Sequence, residues 1–600
     1  MIKTCLLIFL LPLLLLAQYR GERVVEKSFE AADYYFRSYY LNPYNLKDFG
    51  QAAPGLLDNP FLKLHLNPAG LQPDSARNAL VYLDFRSDRE EFAPYVGYRP
   101  TPYDRLEYIA AVIDPRWYTT VIKEPQPIFS LGLLVYPFGK SIQLAATWQM
   151  LYQVSPYYQT PTRIYNSRYG YDYLGREAIA DNVPIVDRRG GQDEMVDSGQ
   201  RASAFLSWEV FSDWQIGLGA NWVLNQREGT FGKFYNPPYS NSEEQTIHYN
   251  RSFRKKRQNY WHSDVSMGLM YRRSAKGEAG ITLGYLQGDA DQHFSLCDSS
   301  LYDNRPGSEP DNWHFHYNRN RQAQSWHHQG GVWHSTLYFT LNLAPQRRLR
   351  GYYTYRNGKI DLTNHSVIFD TSRYAGRRNN QRYNSQYLSW YVVDDRRKGS
   401  GSKNRTEHEA QLSLLLNETN RTKMYVGLYF KRSMLAINIL EPALVNNRSY
   451  FYRYTYNYDL DESRTFIRRS RLYEDKELEW IYTAWRQTVQ IPVMLRFKVG
   501  ENWHLMLSAN KIWQMWRIED QTTAYFATRY QEHNGTVEQE TDFGERYREP
   551  IRSFSENYIQ VICGLDVSVS EHFHVRMLMD PETVPDLHVA MLWLAFELNL

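Results

Sequence analysis

The chain is short of cysteine, of net charge and of long apolar runs. Its 600 residues hold three cysteines. One, Cys5, sits in the N-terminal leader, and the other two, Cys297 and Cys563, are far apart and in unlike surroundings. That excludes a disulfide framework and any cysteine metal-ligand spacing. The formal net charge is +3, too small for the basic field that nucleic acid demands, so nucleic acid is excluded as a partner. After the leader no apolar run reaches the length of a spanning helix. Catalytic signatures are missing too: there is no Gly-x-Ser-x-Gly, His-Glu-x-x-His, P-loop or glycine-rich dinucleotide fingerprint. The expectation is a protein that is not an enzyme and needs no cofactor.

Aromatic residues are abundant. Tyrosine alone accounts for 49 positions. The first 18 residues, MIKTCLLIFLLPLLLLAQ, join a basic Lys3 to an apolar stretch of about 12 residues, the form of a cleaved secretory signal. Cys5 lies inside the apolar stretch rather than after it, which argues against a lipoprotein anchor. A retained N-terminal helical anchor is the alternative.

From residue 127 onward one unit recurs: strand, short turn, strand, long polar segment. The pairs are 128–137 with 142–154, 201–210 with 214–225, 265–273 with 279–287, and 336–343 with 349–356. Three more follow, 409–417 with 424–432, 489–498 with 503–513, and 558–569 with 573–580. A last strand covers 587–600. Within 214–225, Trp214, Ile216, Leu218, Ala220, Trp222 and Leu224 alternate with Gln215, Gly217, Gly219, Asn221, Val223 and Asn225. A period of two places each set on one face of a sheet. Short turns on one side, long segments on the other and glycines on the polar face describe an all-β fold, a closed antiparallel transmembrane β-barrel. Backbone groups in hydrocarbon must all be paired, so the sheet must close. The alternating final strand ends on Leu600, and it resembles the C-terminal signal read by the barrel insertion machinery, with Leu for the more usual Phe.

If both termini face the periplasm, the strand count is even. The seven pairs and the last strand make fifteen, so one upward strand must come earlier. The segment 107–114 (EYIAAVID) is the first choice and 78–86 (NALVYLDFR) its competitor. The count is about sixteen, or fourteen if one weak pair is loop. The division is then 1–18 signal, 19–106 N-terminal segment and 107–600 barrel. The intervening segments 155–200, 226–261, 288–333, 357–404, 433–487 and 514–556 fall outside the cell. Their Tyr and Arg content predicts strands rising above the membrane or loops folded into a cap. The N-terminal segment carries a helical pattern over 24–40 and reads as a plug in the barrel or a periplasmic lead.

The NPAG at 67–70 resembles the N-terminal NPA segment of the fatty-acid-transporter barrels and of related secretion-system barrels of Bacteroidota. In layout, signal and Tyr-rich segments the chain resembles uncharacterised outer-membrane barrels of Bacteroidota, some of them tied to TonB-dependent and iron-related uptake. The resemblance implies an outer-membrane location, with surrounding lipid, and nutrient uptake or surface assembly. It also implies a TonB-dependent receptor or a surface lipoprotein as partner. Two functional readings follow. One is uptake of a small solute. The other is a surface or assembly barrel that binds a protein through its large outer segments.

Opposite the apolar faces lie Arg272, Arg350, Lys431, Arg496, Lys498 and Arg576, with Asp264, Asp566 and Glu597. Six basic against three acidic residues describe a lumen biased toward anions, or a set of ion pairs that anchors a plug. The stretch 313–334, WHFHYNRNRQAQSWHHQGGVWH, holds His314, His316, His327, His328 and His334. It is placed in an extracellular loop leading to the strand near Thr336. His314 and His316 share a face if extended, whereas His327 and His328 point apart. Neutral imidazole binds zinc, copper, nickel or haem iron, so His314, His316, His327 and His328 are metal candidates. The plainer reading is a set of girdle and loop histidines bonded to neighbours.

Overall fold

The computed structural model describes residues 36–600 except 47–48, 72–77, 89–126, 138–140, 157–193, 242–245, 274–275, 305–310, 345, 420, 549–550 and 582–590. The expected signal segment 1–18 and the 107–114 segment lie outside the described residues. Seventeen strands form one sheet, and every pairing is antiparallel between neighbours. In order they are β1 (Ala79–Asp88), β2 (Pro127–Val135), β3 (Ile142–Pro156), β4 (Glu194–Phe211), β5 (Trp214–Asn241) and β6 (Thr246–Arg273). Then come β7 (Gly277–Asn304), β8 (Trp313–Ala344), β9 (Arg347–Asn379), β10 (Tyr383–Thr419), β11 (Thr422–Asn457) and β12 (Glu462–Lys498). The last are β13 (Trp503–His533), β14 (Thr536–Arg548), β15 (Arg552–Ser568), β16 (Phe573–Met579) and β17 (Met591–Asn599).

The pair β1–β17 closes the ring, with Leu80 opposite Asn599 and Asp88 opposite Met591. At the lower rim the N–H groups of Asn78 and Ala79 donate to the Leu600 carbonyl, at 2.7 and 3.1 Å. β14 pairs only with the upper part of β13, so it is a hairpin arm, and sixteen strands make the barrel wall. The first wall strand is Ala79–Asp88, the competitor, and not 107–114, so the wall begins ahead of residue 107.

The outward residues of β5 read Trp214, Ile216, Leu218, Ala220, Trp222 and Leu224, and all the large ones are exposed. At ~3.3 Å per residue and a tilt near 40° they cover about 25 Å, the height of an outer-membrane hydrocarbon band. Trp214 stacks on Tyr271 at 5.0 Å near the lower edge of the band, and Tyr285 on Trp333 at 4.6 Å near the upper. These are the aromatic girdles. Inside the same band the wall is polar, with Gln215, Asn221, Ser266, Thr282, Thr336, Gln411, Gln490 and Asn510 all buried.

Most of the residues between the short-turn pairs are strand rather than loop. β10 and β12 run 37 residues each, of which the band uses about a third. The remainder continues roughly 60–80 Å along the strand. Above the upper girdle the pattern reverses. Outward positions become Gln226, Glu228, Asp289 and Asp291, while many inward positions become apolar. Inward Leu286, Trp326, Ile360 and Leu362 pack with inward Leu435, Ile437, Trp480, Tyr482, Trp516 and Phe526. Outside the hydrocarbon, burying these side chains against one another is the driving force, so β5–β9 pack against β11–β13 and the upper lumen is filled.

Among the described residues no helix is long and apolar enough to cross a membrane; strands do the spanning. Cys297 and Cys563 are free thiols.

Candidate functional site: the lumen and its plug

Residues 36–71 lie inside the barrel. Stretch 36–46 is non-helical, so the described end of the expected 24–40 helix is not helix. Two short helices follow, α1 (Phe49–Leu56) and α2 (Pro60–Leu66). Asn59 caps α2 by accepting from the Phe61 N–H at 2.9 Å, and Pro60 fills the first turn, where no N–H is needed. Asn67 ends α2 and caps the single 3-10 turn Pro68–Gly70.

That Asn67-Pro68-Ala69-Gly70 turn sits on the wall. The Asn67 amide donates to the Leu269 and Ile281 carbonyls, at 3.1 and 3.2 Å, while its oxygen accepts from the Ala69 N–H. The approach is close enough to require glycine in the wall. A Cβ on Gly268 would lie 2.0 Å from Asn67 Oδ1, and one on Gly217 would lie 2.2 Å from the Ala69 nitrogen.

Apolar packing fills the lower lumen. Leu46, Phe49, Ala53, Leu56, Leu57 and Leu62 of the plug meet Tyr425, Met494, Met506, Ile562, Leu578 and Trp593 of the wall. A cavity of about 10 Å³ remains between Tyr44, Leu46, Phe49, Met494 and Met506, hardly room for one water.

Polar anchors hold the rim of the plug. Arg350 donates to the Leu57 carbonyl at 2.6 Å and pairs with Asp58 at 3.2 Å. Arg348 reaches Asp58 at 2.9 Å, and Lys63 reaches Asp58 and Glu278 at 3.5 and 3.8 Å. Burial alone would raise the Asp58 carboxyl, but Lys63, Arg350 and Arg348 outweigh it and hold the group well below the usual carboxylate range. Arg272 pairs with Glu278 at 3.4 Å and donates to the Leu71 carbonyl. Asp264 accepts from Ser38 at 2.7 Å, from Tyr40 at 2.9 Å and meets His334 at 2.9 Å. Near the lower end of the lumen, Arg496 and Arg576 share Asp566, and Arg576 also pairs with Glu597 at 2.9 Å. Tyr44 of the plug packs under the Arg576 guanidinium. Lys431 pairs with Glu407 at 3.1 Å.

Eight of the nine lumen candidates therefore lie in networks on the wall or between wall and plug. The ninth, Lys498, is exposed at the lower end of β12 and has no ion pair among the described residues. Sequence reading missed two groups. In β1, Tyr82 and Arg86 both bond Asp84, and Arg86 also reaches the Asn42 carbonyl. In β9–β11, Glu407 gathers Arg356, Arg405 and Lys431, while Glu409 holds Arg356 and Tyr352. The alternation of 403–411 carried the signal, but that stretch straddled the boundary between expected loop and expected strand.

His65 on α2 gives the plug a pH dependence. Burial lowers its pKa to about 4, although the ring donates to the Leu41 carbonyl at 2.9 Å, which works the other way. Glu409 also raises it, Arg356 and Arg37 lower it, and the Tyr40 ring sits edge-on at 5.4 Å. A freed plug takes up its proton near pH 6.5, and the docked plug only near 4. Docking is thus fully stable above pH 6.5 and weakens as pH falls from there toward 4, by at most about 1.4 kcal/mol per pH unit. Protease protection of residues 36–71 is expected to decline over that window in the wild type. In His65→Gln the decline is expected to flatten, and an unchanged profile would reject this role for His65.

The histidine stretch is the upper half of β8, a strand and not a loop. Its histidines do not converge. The His314 ring bonds the Tyr387 hydroxyl at 2.8 Å and abuts the Tyr374 ring, which His316 also meets edge-on. His328 stacks on Trp326 on the inward side, and His334 is held by Asp264. His327 alone faces outward to carboxylates, Asp291 and Asp289.

A closed antiparallel barrel with an apolar outer band, girdles and a polar, plugged lumen belongs to the class of outer-membrane β-barrels. No family model and no curated protein matches the sequence. Similar solved structures include a FadL homologue from Pseudomonas aeruginosa, at 9% identity and TM-score 0.32 over 94% of this chain and 99% of that one. The TodX monoaromatic hydrocarbon channel is similar at 10% identity and TM-score 0.28, over 90% and 94% of the two chains. The siderophore receptor PirA from Acinetobacter baumannii follows at 6% and 0.27, over 88% and 81%. The fold here is read from the strand pairing, and likenesses this distant add no solute or partner to it.

Proposed function

We propose that this chain is a gated uptake barrel that passes a small, largely apolar solute across the outer membrane. The observation that carries this reading is the plug. It fills the lumen at membrane height, yet it is held only by side-chain packing, hydrogen bonds and ion pairs, all of which can be exchanged. The apolar cluster above the plug, with Leu286, Trp326, Ile360, Leu435 and Trp480, supports an apolar solute.

The tall upper wall supports a second reading, a surface barrel that binds a protein partner. Its exposed tip carries Tyr458, Leu460, Phe466 and Ile467. An uptake test separates the two. In a bacterial host expressing the barrel, accumulation of the apolar dye N-phenylnaphthylamine should exceed that of the empty host. It should rise again in Arg350→Ala, which frees one edge of the plug. Accumulation equal to the empty host in both would overturn the uptake reading and favour the surface one.

A further inference from the structure

We propose that Asp289, Asp291 and His327 form a binding site for a divalent transition-metal ion on the outer wall of the barrel, just above the membrane. β7 and β8 build it together. Asp289 and Asp291 are two apart on β7, and the intervening Ala290 and following Gln292 are buried, so both carboxylates point outward. His327 stands directly opposite Asp291 in the β7–β8 register. Its Nδ1 lies 2.9 Å from one Asp291 oxygen and its Nε2 lies 3.5 Å from an Asp289 oxygen. One ligand atom from each residue falls within 4.8 Å of the other two, and among the described residues this is the one such group of His, Cys, Asp and Glu. Small rotations of the three side chains bring these atoms onto one ion.

Charge balance also favours a cation here. Asp289 and Asp291 sit side by side, half-buried, and among the described residues their ion pairs are with His327. Two adjacent carboxylates at this spacing repel one another. A dication would neutralise them.

The donor set selects the metal. One imidazole nitrogen with two carboxylate oxygens suits zinc, cobalt, nickel or manganese, whereas calcium and magnesium favour oxygen alone. Three protein ligands leave positions open. His293, the next outward residue on β7, is exposed. The Tyr285–Trp333 girdle stack lies four residues below Asp289 on β7, which sets the open positions at the level of the lipid headgroups.

Equilibrium dialysis of Zn²⁺ against the detergent-purified full chain, stripped with chelator and kept in excess Mg²⁺, tests the site. The wild type is expected to bind about one ion per chain, and His327→Ala to lose more than about 100-fold in affinity, beyond the usual effect of an outer-shell change. Asp289→Asn with Asp291→Asn should lose binding as well, while His314→Ala with His316→Ala should bind like the wild type. Visible absorption of added Co²⁺ should show the nitrogen ligand in the wild type and lose that signature in His327→Gln. The His327, Asp289 and Asp291 variants change outward side chains, and an unchanged heat-dependent gel shift confirms that every variant is folded. Equal zinc affinity in wild type and His327→Ala, or displacement of zinc by Mg²⁺, would overturn the proposal.

Discussion

Glu407→Ala is expected to destabilise the folded barrel by about 3–5 kcal/mol, more than any other single substitution in the lumen. Glu407 is fully buried and its carboxylate is shared by Arg356, Arg405 and Lys431. Removing it leaves three cationic groups facing one another without their common counter-ion. Arg356 keeps Glu409 at 2.8 Å, so it is partly compensated. Arg405 also donates to the Phe36 carbonyl, at 3.2 Å. The substitution therefore acts on the wall and on the top of the plug at once. Denaturant unfolding in detergent, followed by tryptophan fluorescence, reads the loss as a lower midpoint. Outward pairs such as Arg396 with Asp394 sit in solvent above the membrane, where exposed ion pairs contribute little. A Glu407→Ala midpoint no lower than that of Asp394→Ala would mean the inner cluster is not the support described here.

Membrane-height structure was legible in the sequence because lipid imposes a strict pattern. The alternation of 214–225 gave the outward and inward faces of β5 correctly, and the fully described short turns after residues 211, 498 and 569 lie where the strand pairs placed them. Parity also gave inward positions to Arg350 and Asp264. It did not reveal their partners, since Asp58 is 292 residues from Arg350 and Ser38 is 226 from Asp264. The upper strands were illegible for a physical reason. Above the girdle the apolar side turns inward, so Trp326, Ile360 and Leu435 no longer mark a lipid face, and stretches such as 433–445 are apolar on both sides of the strand. The same reversal moved the histidine stretch from loop to strand. Its outward meeting with carboxylates comes from β7, about 36 residues earlier, where Asp289, Asp291 and His293 alternate. Choosing between 78–86 and 107–114 for the first strand needed the partner, because both alternate. The register with β17 supplies it, setting Leu80, Tyr82 and Asp84 inward.

Deleting residues 36–71 is expected to turn a silent barrel into a conducting one, the second large effect. The deletion removes α1, α2 and the glycine-docked turn, and with them every plug side chain of the lower apolar cluster. It leaves behind a band-height wall rich in Gln, Asn, Ser and Thr, the lining of a water-filled pore. Phe36 and Tyr39 leave the upper cluster as well, so its packing against β5 and β6 is also loosened. The ring itself should survive, since its closure rests on the β1–β17 ladder and on no plug residue.

The central claim is that the plug seals this barrel, and single-channel recording in planar bilayers tests it most directly. The wild type should show no steady current, and the protein lacking 36–71 should show a stable open level. Steady current in the wild type, or silence from both proteins, would contradict it.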